Sequence, residues 1–134
     1  VAQMRRDLPD GGEVPEDYFF IEGEEDHGGM TARRVRMSEL FSNGSDTLVI
    51  YSFMYGPDME RPCPMCTSFI DGLNGNAPDI TQRVDLAVVA KSPVGRIREF
   101  ARRRGWNDIR LLSSGKVATT ATTSASWTAI RPRC

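Results

Sequence analysis

The chain has 134 residues, of which 40% are hydrophobic and 26% charged, a composition typical of a single soluble globular domain. Its 17 Lys and Arg nearly balance its 18 Asp and Glu, and the net charge of -1 gives no general attraction to nucleic acid or to an anionic membrane. The sequence has neither an apolar run long enough to span a bilayer nor a recognisable signal peptide. Three cysteines are too few for a disulfide-rich secreted scaffold, so we expect a cytoplasmic location and no membrane or nucleic-acid partner.

The N-terminal third combines a polar leader with a predicted hairpin. Residues 1–16 are polar and contain several Pro and Gly residues, as in a loose leader. Tyr18–Ile21 is aromatic and β-branched and predicts a strand, and Arg33–Met37 predicts the returning strand. The acidic, Gly-rich segment Glu22–Gly29 between them is interpreted as a turn or hairpin loop. Ser38–Phe41 has the pattern of a short capped helical turn.

From residue 47 onward the pattern predicts strand, helix, strand, helix and strand, over residues 47–53, 63–73, 84–90, 92–104 and 109–113. Thr47–Phe53 is almost continuously apolar and β-branched, which predicts a strand buried on both faces. Asn74–Asn76 is interpreted as a helix break, followed by a second helical piece over Ala77–Gln82 with Asn76 as its cap. This alternation implies crossover connections and a parallel core sheet.

The pair Cys63 and Cys66 forms a Cys-x-x-Cys motif where the predicted strand gives way to a helix, a setting typical of a redox site. A thiol at a helix N-terminus faces unpaired N–H groups and the positive end of the helix dipole, which lower its pKa. We therefore predict that Cys63 attacks a disulfide and that Cys66, one turn later, resolves the mixed disulfide. Pro64 suits the first helical turn, Pro62 precedes the pair, and Arg61 adds positive charge nearby.

Two other interpretations of the cysteine pair remain open. The thiols can be small buried hydrophobic groups without chemistry, or they can be half of a zinc site. A closed zinc site needs four ligands, and only His27 and Cys134 remain to complete it, neither at a motif spacing. We predict no metal and no cofactor, and a thiol or disulfide of a protein or small molecule as the substrate.

Tyr51–Asp58 and Pro62–Phe69 resemble a bacterial thioredoxin-like family catalogued as domain of unknown function eight-nine-nine. The resemblance extends over residues 5–116 and includes the segments Val88–Pro93, Phe100–Trp106 and Leu111–Ser114. It implies an α/β, thioredoxin-like (peroxiredoxin-like) three-layer sandwich around a central, mostly parallel sheet. It implies no established activity, so thiol–disulfide exchange is the leading expectation and a non-catalytic interaction domain the second.

The chain departs from these families at two places. Peroxiredoxins carry a Thr three residues before the reactive Cys, but Glu60 stands there, which leaves thiol peroxidase as the third alternative. Past Ser114 the family continues with further strands and a helix, which this chain lacks, so we expect residues 17–116 to be an incomplete domain. Residues 117–134 are rich in Ala, Thr and Ser, and we interpret them as an atypical tail produced by a frameshift. The unpaired sheet edge predicts a homodimer.

Overall fold

The computed structural model describes residues 3, 7, 11–26, 29–42 and 45–115. The tail over residues 117–134, His27, Cys134 and most of the leader's first ten residues lie outside this range. The elements, in chain order, are β1 (Phe19–Asp26), β2 (Gly29–Arg36), a 3-10 turn (Met37–Leu40), β3 (Leu48–Phe53), α1 (Pro64–Ile80), β4 (Asp85–Ala90), α2 (Val94–Arg104) and β5 (Arg110–Ser113).

The five strands form one mixed sheet in the order β2-β1-β5-β4-β3. Strands β3, β4 and β5 are parallel neighbours, whereas β1 is antiparallel to both β5 and β2. Each parallel pair is joined by one helix, as the alternating sequence pattern predicts. The α/β class and the parallel core are therefore confirmed.

The side chains of β4 alternate between two hydrophobic clusters on opposite faces of the sheet. Leu86 and Val88 point to one face, where they pack with Ile70 of α1 and Ile97 of α2. The opposite face carries a smaller cluster built from strand residues and the 3-10 turn, namely Val35, Leu40, Ala87, Val89 and Leu112. Among the described residues both α-helices thus cover the same face of the sheet.

Strand β3 is not buried on both faces as predicted, because side chains on each face remain exposed, and it is also an edge strand among the described residues. It pairs with β4 alone, and Val49 remains 44% exposed while Ser52 is also exposed. A continuous apolar run signals burial of many side chains, but it does not determine how many strands flank the run.

Helix α1 runs without interruption through the predicted break at Asn74–Asn76. Its buried face continues from Ile70 to Ala77, and this tertiary packing outweighs the weak helix preference of the Asn and Gly residues. Asn76 is not a cap, because its side chain donates to the carbonyl of Gly72 at 2.7 Å inside the helix. Pro78 is accommodated within the last turn.

The predicted hairpin is confirmed, but its connection is shorter than the predicted turn or hairpin loop over Glu22–Gly29, since β1 extends to Asp26 and β2 begins at Gly29. Glu22 explains part of this extension. Its carboxylate accepts hydrogen bonds from Arg33 of β2 at 2.6 Å and from Arg110 of β5 at 2.6 Å. The ion pairs tie β1 to both neighbouring strands, a use of an acidic residue that turn statistics do not anticipate.

Candidate active site

The loop over residues 54–62 leaves the end of β3 and returns to it at Cys63. The Cys63 N–H donates to the carbonyl of Met54 at 3.0 Å and closes this loop. Cys63 is the N-cap of α1 and Pro64 is the first helical residue, where its missing N–H costs no hydrogen bond. The Thr67 backbone and hydroxyl both donate to the Cys63 carbonyl, at 3.0 and 2.9 Å. These bonds fix the thiol at the helix N-terminus.

Contacts with the first turn of α1 lower the pKa of Cys63. The largest is a hydrogen bond from the Cys66 backbone N–H, followed by one from the Cys66 thiol, and the Met65 N–H contributes a smaller one. Partial burial of Cys63 opposes them. All three donors favour the thiolate, which makes Cys63 the more nucleophilic sulfur of the pair.

Cys66 lies one turn into α1, half-buried against the larger hydrophobic cluster. Tyr51 of β3 packs against the same cluster. Burial raises the pKa of Tyr51 to about 12, and the nearby polar side chains of Cys66 and Cys63 add to this effect. The phenol is therefore neutral and remains a hydrogen-bond donor next to the dithiol.

Arg96 of α2 braces the loop that precedes Cys63. Its guanidinium donates to the carbonyls of Pro57 and Met59, at 2.7 and 2.8 Å, and lies 4.9 Å from the centre of the Tyr55 ring. Two bonds from one rigid fork hold the loop in place. The sequence gives no signal for this contact, because Arg96 lies in a helix with five other Arg and Glu residues.

The three predicted supporting residues differ in how exposed they are. Pro62 is buried beside the pair, while Pro64 and Arg61 are exposed. The groups that lower the pKa of Cys63 belong to Cys66 and Met65, and Arg61 is not one of them. Tyr51 was not predicted from the sequence. The alternation of β3, which puts it on the same face as the buried Phe53, is the signal that points to it.

The surface around the dithiol carries several exposed apolar side chains. Three large hydrophobic residues from the loop and from α1 stay exposed there, with Met54 at 59%, Met65 at 82% and Phe69 at 56%. Phe69 stacks on Tyr51 with ring centres 4.8 Å apart. Exposed apolar groups grouped in this way are typical of a surface that contacts another molecule.

Within the described residues, no three His, Cys, Asp or Glu side chains come close enough to bind a metal ion. The two residues considered as further zinc ligands, His27 and Cys134, lie outside that part of the chain. Of the helices that the structure describes, none is both long and apolar enough to cross a bilayer.

A family model described as a bacterial protein of unknown function, DUF899, matches residues 1–131. Comparison with curated proteins and with solved structures gave no match. The match covers the dithiol, the loop before it and every described strand and helix.

Proposed function

The chain belongs to the DUF899 family of bacterial proteins, and we propose that it is a thioredoxin-like thiol–disulfide oxidoreductase that works through Cys63 and Cys66. The family description assigns no activity, so the proposal rests on the site. The observation that carries it is the position of Cys63 at the N-terminus of α1, where backbone N–H groups stabilise its thiolate.

The arrangement of elements around the motif supports the thioredoxin-like assignment. The dithiol lies between β3 and α1, and the crossover ends in the parallel strand β4. A Cys-x-x-Cys motif within a strand–helix–strand unit is the usual context of a redox dithiol. Neither cysteine is engaged in a disulfide.

The reaction begins when the Cys63 thiolate attacks one sulfur of a substrate disulfide and displaces the other sulfur as a thiolate. Cys66 then loses its proton to the solvent or to the departing thiolate, and attacks the Cys63 sulfur. A Cys63–Cys66 disulfide forms and the second substrate thiol leaves, so two electrons pass from the protein to the substrate. In the reducing cytoplasm, where we expect the protein, a small thiol or a thiol-dependent reductase restores the dithiol.

The apolar residues around Cys63 favour a protein disulfide as the substrate. A disulfide flanked by hydrophobic side chains gains contact with Met54, Met65 and Phe69, whereas a small charged disulfide gains little. We therefore expect faster reduction of a disulfide in an unfolded or peptide substrate than of oxidised glutathione.

The first test measures thiol alkylation against pH in a Cys134→Ser background, where Cys63 and Cys66 are the only thiols. We expect a reactive thiol that titrates clearly below the value of about 8.5 of a free cysteine, and we expect Cys63→Ser to abolish it. In a turnover assay, Cys66→Ser should trap a mixed disulfide between Cys63 and a peptide substrate, detectable by mass spectrometry.

The proposal fails if the thiols titrate like free cysteine and no mixed disulfide accumulates. That outcome would favour the second alternative, an interaction domain with an idle dithiol. Conversion of a peroxide, rather than a disulfide, would favour the third alternative.

A further inference from the structure

We propose that Arg96 is a positioning residue for the attacking thiol: by binding two carbonyls of the loop over residues 54–62, it holds the start of α1 where Cys63 meets the helix N-terminus. The inference rests on the proposed function, in which Cys63 is the attacking group. It assigns a role to a residue of α2, outside the Cys-x-x-Cys motif and outside the strand–helix–strand unit that carries the motif.

The two ends of the loop are held by burial and by backbone hydrogen bonds. Tyr55 is buried near the beginning, and its carbonyl accepts a hydrogen bond from the Ser92 N–H at 2.9 Å. At the other end Pro62 is buried, and the Cys63 N–H donates to the Met54 carbonyl at 3.0 Å. Most residues between these ends are exposed, namely Pro57, Asp58, Glu60 and Arg61.

Arg96 supplies hydrogen bonds to this exposed middle part of the loop. Its guanidinium donates to the carbonyls of Pro57 and Met59 at 2.7 and 2.8 Å, one on each side of Asp58. Two carbonyls that accept from one planar group are held at a fixed separation, which a single donor cannot achieve. The guanidinium also lies 4.9 Å from the centre of the buried Tyr55 ring, and this cation–π contact limits its own movement.

Helix α2 is a rigid support for these contacts. Val94 and Ile97, which lie close to Arg96 in the first turn of α2, are both buried. Ile97 belongs to the same hydrophobic cluster as Ile70 of α1. The loop and α1 are thus positioned against one core, which leaves little freedom for the helix start that joins them.

The start of α1 determines how strongly Cys63 is activated. The first helical hydrogen bond runs from the Thr67 N–H to the Cys63 carbonyl at 3.0 Å, so the earlier N–H groups of Met65 and Cys66 have no partner within the helix. These N–H groups and the positive end of the helix dipole favour the thiolate when the sulfur stays close to them. The effect falls off within the first turn, so a loop that lets the helix start fray lowers the fraction of reactive thiolate.

The test follows alkylation of Cys63 by iodoacetamide against pH in the full chain with Cys66→Ser and Cys134→Ser, where Cys63 is the only thiol. Arg96→Lys keeps the positive charge but cannot bind both carbonyls in the same geometry, and Arg96→Met removes the charge as well. Each rate is divided by its plateau at high pH to remove differences in access. We expect both variants to shift the profile upward by about half a pH unit, which slows alkylation near neutral pH roughly threefold. The Cys63 N–H, which closes the loop, should exchange its hydrogen roughly tenfold faster in both variants.

Arg103→Lys is the matched control, because Arg103 lies in the same helix, is 65% exposed and pairs with Glu99 one turn away. We expect its alkylation profile and its Cys63 exchange rate to match those of the chain that keeps Arg96 and Arg103. An Arg96→Lys profile that coincides with the Arg103→Lys profile would overturn the inference, even if the Cys63 N–H exchanges faster. A shift confined to Arg96→Met would overturn it as well, because the charge alone would then explain the effect.

Turnover of a peptide disulfide, measured in the chain that keeps Cys63 and Cys66, separates this inference from the proposed function. Shifted profiles of both Arg96 variants together with absent turnover would reject the proposed function and keep the positioning role of Arg96. Normal turnover together with unshifted profiles would keep the proposed function and reject that role.

Discussion

Ile70→Ala tests whether packing of α1 on the sheet holds the helix that carries the dithiol. Ile70 lies one turn after Cys66 and is completely buried, in a cluster with Phe53 and Val88. The substitution removes three carbon atoms, which costs about 2.4 kcal/mol at ~0.8 kcal/mol per buried CH₂ group. The surrounding strands and helices cannot close the space completely, and the residual cavity raises the expected loss to about 3–4 kcal/mol.

Urea unfolding followed by circular dichroism measures this loss. With an m value of about 1.5 kcal/mol/M, the midpoint should fall by roughly 2 M relative to the wild type. Phe69→Ala, at the next residue, is the control, since Phe69 is 56% exposed and loses mainly its stacking on Tyr51, worth about 1 kcal/mol. A loss for Ile70→Ala of less than about 1.5 kcal/mol, or one no larger than that for Phe69→Ala, would refute this account of the core.

Two further predictions concern acid stability and association. Asp71 accepts hydrogen bonds from Arg104 and from the Trp106 indole, which hold its pKa below the usual range. Its contribution to stability is therefore present above the unfolded pKa of about 3.9 and is lost as the pH falls through the lower folded pKa. Urea midpoints measured at decreasing pH should fall less steeply for Asp71→Asn than for the wild type, and parallel curves would contradict this assignment. Among the described residues strand β3 pairs on one side only, with Val49 exposed and no charged residue between positions 47 and 57, so we expect two copies to pair along its other side. Sedimentation should give a dimer for the wild type and a monomer for Val49→Lys, and a monomeric wild type would exclude pairing.

The elements that the sequence predicts correctly are those with a strong local signal. Helix α2 ends at Gly105, which has a φ of 75° that favours glycine, and the apolar run over residues 84–90 becomes β4. The continuous α1 was missed because Asn and Gly residues weaken the local preference near position 75. Burial of Ala77 and Ile80 on the same face as Ile70 outweighs that weakness, and burial is a property of the assembled fold.

The residues of the candidate site also differ in this respect, since some are placed by local contacts and others by tertiary contacts. The sequence identifies Cys63 and Cys66, because the donors that lower the Cys63 pKa, two backbone N–H groups and the Cys66 thiol, all belong to the helix that begins at Cys63. The sequence does not identify Tyr51 and Arg96 as site residues. Each reaches the site from another element: the alternation of β3 marks Tyr51 only as a residue of the buried face, and no spacing in the sequence marks Arg96.

The difference between local and tertiary contacts determines how much of the reactivity the Cys-x-x-Cys motif alone can explain. Any helix that begins at Cys63 supplies the N–H groups that favour its thiolate, so the attacking step depends mainly on where α1 starts. Cys66 lies inside the helix, and its backbone N–H and its thiol are both directed to Cys63. The hydrogen bonds from Arg96 to the loop and from Cys63 to Met54 hold the loop against the end of β3 and so fix where α1 starts. The attacking step therefore depends on the contacts of the loop over residues 54–62 as well as on the Cys-x-x-Cys motif.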